Sequence, residues 1–270
     1  MKRIYLSVLV VLVTLLSCNK DDASENSKIK AKDLEFIGVK HNLIMASSLE
    51  FLEKESKNKD YSLKTQSERI EDLQNFVISE TVSNEYSKES NEQAIKNIKN
   101  IFQAKKYYTE ENLSEIEQNY LDRLYQIIEE ANFDIENDLT ISRIEALETE
   151  IENISDTLTD EQLVLLFSAT QTGKYSYDYW KNNIDDWLNS DLSNMQNRCG
   201  SSDCPLQNGV VQQDIGGAVA GAVSAWIANA IPGVGQVAYG STILGAAAAA
   251  SVKEIVTQAL ENLGGNDNAE

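Results

Sequence analysis

Histidine, proline and cysteine are nearly missing from this 270-residue chain, which has one His, two Pro and three Cys. So little His and Cys leaves scant material for a nucleophilic triad or a structural zinc site. No G-x-S-x-G or H-E-x-x-H motif occurs either. We therefore assign no catalytic residue, no metal and no cofactor. Basic residues are also scarce: 23 Lys+Arg face 43 Asp+Glu, for a net charge of −20 and a pI of about 4.4. A nucleic-acid binder needs a basic face to neutralise phosphates, so that class is set aside.

Glycine is unevenly absent. Before residue 200 only Gly38 and Gly173 occur, and that stretch has no Pro; the other eleven glycines follow. A long run without helix breakers, rich in Glu, Lys, Leu and Ile, predicts helices. Apolar stripes at helical spacing agree, as in Leu113, Ile116, Tyr120, Leu124 and Ile127, or Ile144, Leu147, Ile151 and Ile154. Capping boxes are expected at Thr65–Glu68, Ser90–Gln93 and Thr159–Gln162. The predicted helices are 31–57, 66–87, 91–107, 111–132, 139–155, 160–171 and 175–190, with no alternating strand pattern between them. The fold class is thus all-α, an acidic bundle over 31–190. The one histidine, His41, falls between Ile37 and Ile44 on a helix face.

The N-terminus reads as an address. Lys2 and Arg3 precede an apolar run, Ile4 to Leu16, that is too short for a comfortable transmembrane helix. It ends in Leu15-Leu16-Ser17-Cys18, which resembles the lipobox of bacterial lipoproteins. In that family the peptide is cut before the Cys and the thiol is diacylated. The resemblance implies a signal peptide over 1–17, a lipid on Cys18 and a flexible tether over 18–30. Asn19-Lys20-Asp21-Asp22 resembles the export signal of Bacteroidota surface lipoproteins, with Lys20, Asp21 and Asp22 as its core. That implies an outer-membrane, lipid-anchored protein facing the cell exterior. Losing Lys2 and Arg3 takes the charge from −20 to −22, so acyl chains must provide the membrane contact.

Residues 191–213 read as a linker. They carry Cys199 and Cys204, which outside the cytoplasm are expected to close a small disulfide ring. From Ile215 to Val252 there are then 38 residues without a charge, interrupted by Ile231-Pro232-Gly233-Val234-Gly235. This predicts a Gly/Ala-rich hydrophobic helical hairpin over 214–263, followed by a polar tail, 264–270. Gly217 and Gly221 form a G-x-x-x-G element, continued by Ser224, which lets helix backbones approach closely. The second arm is expected to repeat the device with Ala238, Ser241, Gly245 and Ala249. The segment resembles glycine-zipper hairpins and the Gly-rich ends of some class II bacteriocins. At about 1.5 Å per residue the first arm is roughly 28 Å long, near the bilayer's apolar thickness. Its small faces predict packing or self-association, and its length leaves membrane insertion open.

Two further groups stand out. Tyr175, Tyr179, Trp180 and Trp187 form an aromatic patch, readable as core or as a glycan- or peptide-binding surface. Asp134 to Glu145 resembles an EF-hand loop but has Leu139 where that loop needs Gly, so calcium is not assigned. The expected function is a non-enzymatic envelope lipoprotein acting as an interaction or structural module. Its membrane contact is the N-terminal lipid, with residues 214–263 as a possible second one. The competing expectation is a membrane-active effector whose hairpin enters a target bilayer.

Overall fold

The computed structural model describes residues 28–83, 88–103, 113–133, 135, 138–189, 205–228 and 237–264. Among these there are nine α-helices and no strands. A 3-10 turn, Ala31–Leu34, leads into α1 (Glu35–Ser56). A single-turn α2 (Lys59–Ser62), α3 (Gln66–Thr81) and α4 (Lys88–Gln103) follow. Next come α5 (Glu115–Glu129), α6 (Thr140–Asn153) and the long α7 (Asp160–Asn189), then α8 (Pro205–Ala228) and α9 (Val237–Gly264).

Local chemistry sets most of the helix starts. Thr65 and Glu68 cap α3 reciprocally, and Thr159 and Gln162 do the same for α7. Ser114 and Glu117 form a further box on α5, which shifts that helix start from the expected 111 to 115. Ser90 is no cap. It lies inside α4, and its Oγ meets Ser241 Oγ of α9 at 2.7 Å. The two helices expected at 160–171 and 175–190 are one, because Gly173 does not stop α7. An added Cβ there would lie 3.1 Å from Ile215 Cδ1, so the glycine serves packing against α8. Residues 205–213, expected as part of a linker, lie in α8. Pro205 opens α8, a position where its missing N–H costs nothing and its fixed φ suits the helix.

Two helices organise the core. The α9 helix packs against α1, α3, α4 and α8, while α7 packs against α1, α5, α6 and α8. The acidic bundle and the uncharged hairpin therefore share one hydrophobic core and are not separate layers. Ala246 to Ala250 are all fully buried. The first charge after them, Lys253, donates from Nζ to Ile101 O at the end of α4, 2.9 Å away.

The G-x-x-x-G element works as expected on one arm only. A Cβ on Gly217 would lie 2.6 Å from Ala246 O, and one on Gly221 would lie 2.6 Å from Ile243 Cα. Both glycines thus let α8 touch the backbone of α9. Gly245 does something else. Its Cβ would meet Thr81 Cγ2 of α3 at 2.8 Å and Ile98 Cδ1 of α4 at 2.9 Å. The face built from Ser241 and Gly245 is turned to α3 and α4, and the seam with α8 uses Thr242, Ile243, Ala246, Ala247 and Ala250. The side chain of Ser224 lies outside the described residues. Ile215 and Val219, on the opposite side of α8, are fully buried in the bundle.

Gly217→Ala and Gly221→Ala should each destabilise the fold by about 1–3 kcal/mol, the usual cost of forcing atoms into a filled contact. Gly209→Ala, on the same helix, should do the reverse. A Cβ there meets nothing within 4 Å, and a helical Gly replaced by Ala gains about 0.5–1 kcal/mol. Urea unfolding followed by circular dichroism checks the order; three equal effects would refute the close-approach account.

Candidate functional site, a buried histidine and aspartate

The only histidine sits at the meeting point of four helices. His41 of α1 and Asp214 of α8 are both fully buried, with His41 Nε2 3.4 Å from Asp214 Oδ2. Two groups on α7 also serve that carboxylate: Ser176 Oγ donates to Oδ2, and Trp180 Nε1 donates at 3.2 Å. From α9, Ser251 Oγ lies 3.2 Å from His41 Nε2. On the other side of the ring, His41 Nδ1 lies 3.0 Å from Asn42 Oδ1. Asn42 in turn donates from Nδ2 to Tyr175 O at 2.9 Å, which ties α1 to α7.

The helix faces explain the convergence. His41 shares its stripe with Ile37, Ile44 and Met45, all buried, so α1 cannot shed the ring to solvent. Gly38, one turn earlier, lets α7 approach; a Cβ there would stand 2.8 Å from Gln171 O. Asp214 is the last charge before the uncharged run and falls one residue before the buried Ile215. Burial pushes the imidazole pKa down. The Asp214 carboxylate outweighs that by charge and hydrogen bonding, with help from Asn42, and holds it above its usual 6.5.

Serine, histidine and aspartate in contact invite comparison with a nucleophilic triad, but the geometry differs. A triad needs the acid and the hydroxyl on opposite ring nitrogens. Here Ser251 and Asp214 both face Nε2. With every ring atom buried, the arrangement can fasten helices and offers no route to a substrate.

A second buried carboxylate stands between α6 and α7. Glu148 accepts from Gln171 Nε2 at 2.8 Å and from Lys174 Nζ at 3.4 Å. Burial raises its pKa, partly countered by Lys174. In the joint before α6, the Asp138 carboxylate accepts from the amides of Thr140 and Asn132. Among the described residues no group of three or more His, Cys, Asp and Glu is placed to hold a metal ion.

The aromatic residues lie in the core. Trp180 is fully buried, Trp187 and Tyr179 nearly so, and their rings pack edge-on or tilted, with centroids 5.1 and 5.5 Å apart. Trp187 Nε1 donates to Tyr179 Oη at 2.9 Å, and burial lifts the Tyr179 phenol to about 12. Tyr175 is half-buried and donates to Glu35 Oε1. Of the four rings, only that of Tyr175 is partly open to solvent. Cys18, Lys20, Asp21, Asp22, Cys199 and Cys204 all lie outside the described residues.

Asp214 was not singled out by sequence reasoning, although its signal was present. A lone acid at the edge of a 38-residue uncharged run must be covered by the fold once that run is buried. Ser176 and Ser251 left no such mark, because isolated serines on apolar faces are common.

Asp214→Ala should cost about 3–5 kcal/mol, because it leaves the buried His41 donors without their charged partner. Lys64→Ala, which breaks the partly exposed pair with Asp72, should cost far less, since water reaches what remains. Urea midpoints of the two variants give the comparison directly. No family model, no curated protein and no solved structure matches the chain, so its function must be argued from these residues.

Proposed function

We propose that the protein is a non-enzymatic, lipid-anchored protein of the cell envelope, held in the outer membrane through Cys18 with its helical bundle facing outward. The bundle acts as an interaction or structural module, and the uncharged hairpin is its internal packing element. The observation that supports this reading most is the position of α9, enclosed by α1, α3, α4 and α8. The described helices of the segment that a membrane-active effector would insert are engaged here in helix contacts. Among the described residues no helix is long and apolar enough to cross a membrane. Membrane attachment then falls to the acyl chains, as the Leu15-Leu16-Ser17-Cys18 motif implies.

Cys18→Ser should abolish labelling by a fatty-acid analogue and halt maturation. Replacing Lys20, Asp21 and Asp22 with Ala should preserve labelling and remove the protein from the cell surface, read by proteolysis of intact cells. Labelling that survives Cys18→Ser would end the lipoprotein reading.

The hairpin has its own test. Deleting 205–264 should strip the remaining helices of cooperative unfolding and expose surface that binds a hydrophobic dye. A truncated bundle that still unfolds cooperatively, together with full-length protein that makes liposomes leak, would favour the effector instead.

A further inference from the structure

We propose that His41 is held as an imidazolium in the folded protein, and that its pair with Asp214 is a pH-sensitive clasp. The clasp fastens the hairpin to α1 and α7 and loosens as the medium becomes alkaline.

The hydrogen-bond geometry supplies the protonation state. Asn42 Nδ2 donates to Tyr175 O, which fixes the amide so that Oδ1 faces His41 Nδ1 at 3.0 Å. An amide oxygen only accepts, so Nδ1 must carry a hydrogen. The other nitrogen faces Asp214 Oδ2 and Ser251 Oγ. The Asp214 oxygen already accepts from Ser176 and Trp180, as an ionised carboxylate does. Ser251 Oγ, 3.2 Å from the ring and 3.5 Å from Ala247 O, can donate or accept, so the carboxylate oxygen 3.4 Å from Nε2 decides. Nε2 must donate as well. Two donating nitrogens define the charged ring.

Position makes this a clasp and not a local detail. The four elements it joins, α1, α7, α8 and α9, include both helices that organise the core. Loss of one proton leaves either Asn42 Oδ1 or Asp214 Oδ2 facing a bare nitrogen lone pair. His41 and Asp214 are both fully buried, so on that side water cannot take the place of the lost hydrogen without a rearrangement.

The charged surroundings set its direction. From α8 the ring meets Asp214; from α7 it meets the neutral Ser176–Trp180 side, and from α9 Ser251. The other ionisable groups on these helices are engaged elsewhere or lie outside the cluster. Glu35 of α1 accepts from Tyr175, Lys174 of α7 pairs with Glu148, and Lys253 of α9 holds Ile101 O. Lys40 on α1 and Glu254 on α9 are partly exposed, and Asp178 on α7 is exposed. Because Asp214 raises the folded pKa above the unfolded 6.5, the stabilisation is complete below about 6.5 and disappears as pH rises through the folded value. Acidification into the range where a free imidazole gains its proton therefore tightens the hairpin.

One histidine in the chain makes the test unambiguous. Full-length protein in detergent, labelled with ¹⁵N-histidine, should show both ring nitrogens protonated until the pH passes the folded midpoint. Its midpoint should lie above 6.5 when folded and return to 6.5 in denaturant. Asp214→Asn should drop the folded midpoint below 6.5, because burial remains after the countercharge has gone. In the wild type, the urea midpoint and the hydrogen-exchange protection of α8 should fall together as pH rises through the folded titration. His41→Gln should lose that dependence. A folded midpoint at or below 6.5 overturns the proposal on the wild-type protein alone. So does α8 protection that stays flat across the titration.

Discussion

The fold depends on how closely α8 and α9 approach. Gly217 and Gly221 bring backbone against backbone, with Ala246 O and Ile243 Cα where side chains would ordinarily stand. Each atom pair in such a contact contributes only about 0.1–0.2 kcal/mol, but an extended seam sums many of them. The approach also makes the central helix thin. A helix presenting Ala246 to Ala250 is narrow enough for four neighbours to close around it, and Gly245 makes room on its far side for the side chains of Thr81 in α3 and Ile98 in α4.

A seam made largely of Ala and Gly is poor in hydrophobic area, since burial stabilises by roughly 25 cal/mol per Å². Larger side chains must compensate around it, and they do. Trp180, Trp187, Phe167, Met45 and Leu124 fill the space between α7 and its neighbours. Small residues set the helix spacing at the centre and large residues supply burial beside it. The polar cluster lies where these regions meet. A buried ion pair is weak evidence for stability, because desolvation offsets much of the attraction. Its directional bonds do fix how α1, α7 and α8 are rotated, which interchangeable Ala contacts specify poorly.

Legibility in the sequence followed the range of the interaction concerned. Helices and caps at Thr65 and Thr159 were readable because the groups involved are three residues apart. The stripe through Leu124 and the one through Ile151 were readable for the same reason. Gly173 misled because a glycine that ends a helix and one that admits Ile215 look alike in one dimension. Gly245 misled similarly: small-residue spacing marks a face that permits close approach without saying which helix will use it. The His41–Asp214 contact spans most of the chain, so no local pattern pairs the two. What the sequence did carry was a constraint, one histidine on an apolar stripe and one acid at the edge of an uncharged run.

That constraint also bears on why a membrane-like segment is found in a core. The run from Ile215 to Val252 is uncharged, but its mass is Ala and Gly, so transfer to lipid would recover little apolar area while giving up tight contacts. In the bundle the described residues of that run keep those contacts. Asp214 adds to the difference. It begins the uncharged run, and in hydrocarbon its carboxylate would be costly without partners, whereas the bundle provides Ser176, Trp180 and His41. The absence of charge beyond it is then a packing requirement. With α1, α3, α4 and α8 on its sides, the buried face of α9 has no water to receive a charged side chain. Lys253 marks where that requirement ends, at the point where its amine reaches the carbonyl of Ile101 in the last turn of α4.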